Sequence, residues 1–255
     1  MITPLFTIDP FPLTSGCAAL EPCQMGGKTV GAFYLPPRAA LTDVFERAAA
    51  LLERGRVMIL YIDGLGYALY ERARLPFIKR TFPCVPARTA YPPLTQPCMA
   101  SMLTGTWPDT HGIRSRRDHR PLVPSLMRVP GAAWVEADSA PLTLEKPPVL
   151  TLPEPGENVD DAVLRAALPL AAGDAPLLLV HFHGLDDMEH DVGDDAARLA
   201  PKLAALDGAA HALCDVFSGS VILCADHGVH ASGGHGSHGE FDHRDMFVPL
   251  GEATL

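Results

Sequence analysis

The chain has 255 residues, 47% of them hydrophobic and 20% charged, an ordinary balance for a globular protein with a buried core. Thirty acidic side chains against twenty Lys and Arg give a net charge of −10, which argues against a general nucleic-acid binder, because polyanion binding rests on cationic side chains. No apolar stretch reaches the length of a membrane span, and Met1–Phe6 lacks the basic head and apolar core of a secretion signal, so the expected setting is the cytoplasm.

The first 38 residues are rich in Pro and Gly and carry no clear period. They are expected to pack as an irregular segment on one domain spanning residues 1–255, with a short edge strand over Gly31–Leu35. Thr42–Glu53 has helical spacing, with Val44, Phe45, Ala48, Leu51 and Leu52 on one side and Thr42 in the capping position. A strand over 57–63 and a helix over Leu65–Arg74 follow. The Pro-rich stretch Leu75–Pro97 is expected to be mostly loop. A helix then runs from Gln96 to Leu103, with Thr95 at its cap and Pro97 in its first turn, where a missing N–H costs little. From Gly105 to Asn158 only Ala132–Val135 suggests a strand. Val159–Leu170 is a helix with Asp160 and Asp161 in its first turn. A strand at Leu177–Phe182, a long helix over Asp194–Phe217, and strands at 221–225 and Phe247–Leu250 complete the chain. Alternating strand and helix implies an α/β fold, a largely parallel sheet flanked by helices on both faces.

The six cysteines, at 17, 23, 84, 98, 214 and 224, contain no C-x-x-C pair, so they match neither a zinc ribbon nor a disulfide framework. Cys224 reads as a small buried hydrophobe, and no Cys17–Cys23 disulfide is expected.

Three apolar runs end in acid or acid–histidine clusters. Val57–Ile62 runs into Asp63-Gly64, Leu177–Val180 leads through His181 and His183 to Asp186 and His190, and Val221–Ala225 runs into Asp226-His227-Gly228. Open α/β sheets bind ligands beyond the carboxyl ends of their strands, so these endings converge on one edge. Asp63, Asp186, His190, Asp226, His227 and one of His235 or His238 make a mixed oxygen–nitrogen ligand set. Zinc accepts such a set, manganese and iron tolerate it, and six or seven ligands suit two ions better than one. Two cations about 4 Å apart can clamp the attacking and leaving oxygens of a phosphoryl displacement. Thr95, ahead of a helix N-terminus that favours anions, is the candidate nucleophile.

At these residues the chain resembles a known family. Tyr91-Pro92-Pro93-Leu94-Thr95-Gln96-Pro97, followed by Thr104-Gly105-Thr106-Trp107-Pro108-Asp109-Thr110-His111-Gly112-Ile113, is similar to the nucleophile region of the alkaline phosphatase superfamily. The likeness is nearest to its type I phosphodiesterase/nucleotide pyrophosphatase branch. It continues through Asp63-Gly64, Asp186-x-x-x-His190, Asp226-His227-Gly228 and His238-Gly239, in the family's order. The resemblance implies an alkaline phosphatase-like fold with little or no cap domain. It implies two divalent metal ions, zinc first among them, one held by Asp63, Thr95, Asp226 and His227 and the other by Asp186, His190 and His238. Thr95 would form a phosphothreonine, which water then releases as phosphate or a monoester. The expected partner is a small anionic phosphate ester, with no nucleic-acid polymer and no membrane.

Departures from the family pattern mark where substrate choice differs. Cys98 and Met99 stand where the diesterase branch has Asn and His, and a phosphate-contacting Asn of that branch falls on Arg116. Arg116 lies in the basic run Arg114–Arg120, and a guanidinium gripping two phosphate oxygens suits a more highly charged monoester. A sulfatase pattern would need Arg at the position of Met99. His181, His183, His230 and His243 are expected as outer donors or exposed rings, Glu189 as a solvated acid, and His111 as a loop-fixing residue. The alternatives are a phosphomonoesterase, a phosphonate hydrolase or a phosphosugar mutase relative with the same metals, and, outside catalysis, a silent module that binds metal or a phosphorylated ligand.

Overall fold

The structure is a computed structural model that describes residues 7–8, 21–33 and 39–255. Its strands in chain order are β1 (Thr7–Ile8), β2 (Glu21–Met25), β3 (Lys28–Phe33), β4 (Ala39–Ala40), β5 (Val57–Ile62), β6 (Val85–Arg88) and β7 (Ala133–Glu136). They continue as β8 (Val149–Leu150), β9 (Leu177–Phe182), β10 (Ser220–Cys224), β11 (His230–Ser232), β12 (His235–Ser237) and β13 (Phe247–Thr254). The helices are α1 (Asp43–Leu52), α2 (Tyr67–Arg72), α3 (Pro76–Thr81), α4 (Thr95–Thr104) and α5 (Pro108–His111). After them come α6 (Val159–Ala172), α7 (Gly184–Val192), α8 (Ala196–Val216) and α9 (His243–Met246).

One eight-stranded sheet runs in the order β4-β6-β13-β10-β5-β9-β7-β8. Its middle is the three apolar runs: β10, β5 and β9 are parallel neighbours, and every residue in them is buried. Strands apolar on both faces need cover on both faces. Two helical sets supply it, α1 packed on α4 and against β4, β5 and β10, and α6 packed on α8 and against β7 and β9. The antiparallel member is β13, wedged between β10 and β6, so the sheet is largely but not wholly parallel.

Register places the chemistry. Tyr61 pairs with His181 on one side and with Cys224 on the other. Two residues further along, Asp63, His183 and Asp226 therefore emerge at the same sheet edge. Asp63 N donates to Phe182 O at 2.9 Å, and Gly64 N donates to Asp226 Oδ1 at 3.2 Å.

The stretch expected as loop over 75–97 contains both α3 and β6. Its prolines are compatible with them: Pro76 opens α3, and Pro86 sits in β6 opposite Pro249 of β13. Helix α3 takes its cap from a distant element, since the Asp207 carboxylate of α8 accepts from Phe77 N at 3.0 Å and Ile78 N at 2.9 Å. Thr42 stands at the start of α1 without a side-chain cap bond, and Asp43 makes the local tie instead, accepting from Ala40 N at 3.0 Å. Asn158 caps α6 in a reciprocal box with Asp161. Thr95 is the first residue inside α4, with Leu94 at the cap. The long helix of 194–217 begins at Ala196, and α7 precedes it as a separate helix.

Among the described residues, β1, β3 and β2 form a small sheet of their own, tied to the main body where Gly26 N donates to Asp109 Oδ1 at 2.7 Å. The expected edge strand is seen as β3 up to Phe33; Tyr34, Leu35 and Cys17 lie outside the described residues.

Candidate metal centre

Among the described residues, three groups of side chains bring potential ligand atoms within 4.8 Å of one another: Asp63–Asp226–His227, Asp186–His227–His238 and Asp63–His181–His183. In the first, His227 Nε2 lies 3.4 Å from Asp63 Oδ1 and 3.2 Å from Asp226 Oδ2. In the second, His238 Nε2 lies 3.8 Å from Asp186 Oδ1, and His190 Nε2 adds a fourth ligand atom 3.2 Å from Asp186 Oδ2. The His227 and His238 rings stack at 3.7 Å between centroids, joining the two groups. The rival for His238, His235, is exposed on the β11–β12 hairpin, whereas His238 is buried.

Hydrogen bonds fix which ring nitrogen faces inward. A backbone carbonyl can only accept, so the Nδ1 atoms of His190, His227 and His238 must carry hydrogen towards Gly236 O, Gly228 O and Pro93 O, at 3.4, 3.3 and 2.9 Å. Each Nε2 is thereby the ring atom turned towards a carboxylate. Imidazoles that bind metals are oriented in this way by a partner on the other nitrogen.

Buried polar atoms with no hydrogen-bond partner gather here: Asp63 Oδ1, Asp186 Oδ1, Asp226 Oδ2 and His227 Nε2. Orphaned acceptors are costly unless something positive sits among them, and this donor set fits divalent cations. Burial, with Asp226 and Asp186 nearby, pushes the Asp63 carboxyl well above the usual range. Burial would do the same to Asp186, but the His190 hydrogen bond and the His227 and His238 imidazoles hold it well below. Burial and the neighbouring His227 push His238 down to about 4.

Thr95 opens α4 two residues after Pro93, the acceptor for His238. The Thr89 hydroxyl donates to Asp226 O, tying the end of β6 to the same loop. Of the basic run, Arg116 reaches the site: its Nη2 lies 2.9 Å from His238 Nε2, while Arg114 pairs with Asp109 and Arg117 and Arg120 are exposed. His111 is buried and links α4 to the following loop, bonding Ser101 Oγ at 2.9 Å and accepting from Ile113 N at 3.1 Å.

One expectation is overturned. Glu189 is not a solvated acid: it is fully buried, neither carboxylate oxygen has a hydrogen-bond partner, and burial together with Asp186 and Asp63 pushes its carboxyl well above the usual range. It lies three residues after Asp186, on the same side of α7, so the spacing carried a signal. His181 and His183, expected as outer donors or exposed rings, lie beside a candidate ligand: His181 Nε2 and His183 Nδ1 stand 3.3 and 3.4 Å from Asp63 Oδ2. Both rings bond Glu136, a buried residue absent from the expected site although Ala133–Glu136 is a fourth short run ending in an acid. His230 is also buried, paired with Asp245 at 2.8 Å, and His243 is exposed.

The architecture is an alkaline phosphatase-like fold, shared with several solved structures. Residues 57–123 match the model of the type I phosphodiesterase / nucleotide pyrophosphatase family. Murine ectonucleotide pyrophosphatase / phosphodiesterase 5 superposes with a TM-score of 0.54 at 17% identity, over 69% of this chain and 57% of that one. A 2-O GAG sulfatase gives 0.58 at 16% identity, over 79% and 64%. The phosphonoacetate hydrolase of Sinorhizobium meliloti 1021, solved with phosphonoacetate, gives 0.52 at 14% identity, over 83% and 60%. The chain thus covers less than two thirds of the length of each of these proteins. No curated protein matches it in sequence.

Proposed function

We propose that this chain hydrolyses phosphate esters at a centre for two divalent cations, zinc first among them, with Thr95 as nucleophile. Asp63, Thr95, Asp226 and His227 would hold one cation, and Asp186, His190 and His238 the other. The observation that carries the reading is the shared orientation of His190, His227 and His238. Each spends Nδ1 on a backbone carbonyl and turns Nε2 towards carboxylates that include three orphaned oxygens. Bound cations would supply the positive charge that a phosphoryl group needs in a water-poor cleft.

The chain's own residues then have definable tasks. The N-terminus of α4 presents unpaired N–H groups to the phosphoryl oxygens. Thr95 Oγ attacks phosphorus in line and gives up its proton. The Oγ–P bond forms as the ester O–P bond breaks, and the leaving oxygen departs protonated. Water next attacks the phosphothreonine, the Oγ–P bond breaks, and the Thr95 hydroxyl is restored. Arg116, beside His238, can grip two phosphoryl oxygens at once. That guanidinium favours a second reading of the same centre, a phosphomonoester or phosphonate substrate in place of a diester.

The test is turnover of bis-p-nitrophenyl phosphate, p-nitrophenyl phosphate and phosphonoacetate by the zinc-loaded chain, beside Thr95→Ala. Turnover of at least one substrate, lost in Thr95→Ala with zinc retained, supports the proposal. Undiminished turnover in that variant, or a folded chain that binds no divalent cation, overturns it.

A further inference from the structure

The segment 226–246 supplies a ligand to each proposed cation, His227 to one and His238 to the other, while Asp245 near its end belongs to neither set. We infer, resting on the two-cation reading, that Asp245 is the positioning residue of this segment, its carboxylate holding His238 in place beside His227.

Asp245 lies on α9 and is wholly buried, and three parts of the segment bond to it. Its backbone oxygen accepts from Gly228 N at 3.1 Å, immediately after His227. Its Oδ1 lies 2.8 Å from His230 Nδ1, and its Oδ2 accepts from Glu240 N at 3.1 Å, two residues after His238. An ionised carboxylate only accepts, so the His230 nitrogen donates. One oxygen thus holds the first residue of β11 and the other holds the chain just beyond β12, closing the 230–240 loop at its base.

The loop needs such a closure. Its β11–β12 hairpin pairs only three residues a side, from His230 opposite Ser237 to Ser232 opposite His235, and a hairpin so short is marginal alone. His238 follows it directly, with its Nε2 3.8 Å from Asp186 Oδ1 and its ring stacked on His227 at 3.7 Å between centroids. A shift of the loop therefore moves the His238 imidazole away from its partners. His227 is tied differently. Its neighbour Gly228 bonds to the backbone of Asp245, a bond that no side-chain substitution at 245 removes. Loss of the carboxylate should weaken the cation at Asp186, His190 and His238 and spare the one at Asp63, Asp226 and His227. A general loosening of the fold would weaken both.

The experiment titrates zinc into the chelator-stripped full chain by isothermal calorimetry, comparing the wild type with Asp245→Asn, His230→Ala and His230→Asn. Two zinc ions per chain are expected for the wild type. Asp245→Asn keeps the shape but sets an amide N–H against one of the two donors, and should weaken one zinc by about 10-fold, the low end for losing an outer partner of a metal site, with the other unchanged. His230→Ala should do the same, and His230→Asn, whose amide N–H can replace Nδ1–H, should restore the wild-type pattern. Asp186→Ala identifies the weakened site, since adding Asp245→Asn to it should leave the remaining zinc unaffected. Both zinc ions unchanged, or both weakened alike, in Asp245→Asn overturns the inference and leaves the two-cation reading standing. A wild-type chain that binds no zinc overturns that reading and the inference with it. If Asp245→Asn does not fold, the His230 pair decides, and equal zinc binding by His230→Ala and His230→Asn overturns the inference.

Discussion

Arg116 Nη2 stands 2.9 Å from His238 Nε2 and can only donate to it, so the guanidinium occupies the lone pair that a cation at Asp186 and His190 would use. Loading that position means moving Arg116 outward, to where a bound phosphoryl group would meet it. Arg116→Ala should therefore bind zinc at that position more tightly than the wild type. It should also lose about 10–100-fold in kcat/KM on phosphate esters, the scale of a charge-assisted hydrogen bond. Isothermal titration with zinc and steady-state kinetics read the two effects, which have opposite signs.

Thr95→Ser keeps a hydroxyl at the first position of α4 and should retain measurable turnover, with an acid-stable phosphoserine trapped on the chain after quenching. Mass spectrometry of the quenched peptide checks this. A label found elsewhere on the chain would move the nucleophile.

Glu189 supplies a pH prediction. Its folded pKa is raised above the unfolded value, so its contribution to stability is complete below the unfolded pKa and is lost as pH rises through the folded one. In chelator-treated protein, Glu189→Gln should melt higher than the wild type at pH 8, and the gap should close as pH falls towards 5. Paired thermal melts across that range check the sign. A gap that widens at low pH would show that Glu189 is paired when ionised.

Gly228 follows the proposed ligands Asp226 and His227, and a Cβ there would fall on Arg244 O and on Gly66 Cα. Backbone cannot yield as a side-chain tip does, so Gly228→Ala must displace the loop that carries His227. We expect a melting temperature several degrees lower, a loss of about 1–3 kcal/mol, and weaker zinc binding. Chemical denaturation and zinc titration of the same variant measure both.

The parts of the fold that were legible are those where one local signal decides the outcome. Val57–Ile62 and Leu177–Phe182 are buried on both faces, so continuous apolarity marks them. Asp63, Asp186, His190, Asp226 and His227 follow or sit near such runs, which is why the sequence brings them together on paper, whereas His238 was told from His235 by the family resemblance. Residues 76–88 were not legible, because Pro76 and Pro86 read as breakers while their actual positions, a helix start and a strand beside β13, tolerate them. Glu189 was hidden for another reason. A carboxylate on a polar helix reads as solvated, and nothing local announces that Gly64 and Gly236 let α7 settle close enough to seal it.

Asp207 ties the opening of one helix to the integrity of another. Its carboxylate, from the middle of α8, holds the first amides of α3, a six-residue segment with no side-chain cap of its own. So short a helix has little independent persistence. Fluctuations that free α3 must therefore also expose a buried acid, and the two segments should exchange their amide protons as one cooperative unit. Helix α3, between β5 and β6, is thus held in place by a residue more than a hundred positions later in the sequence.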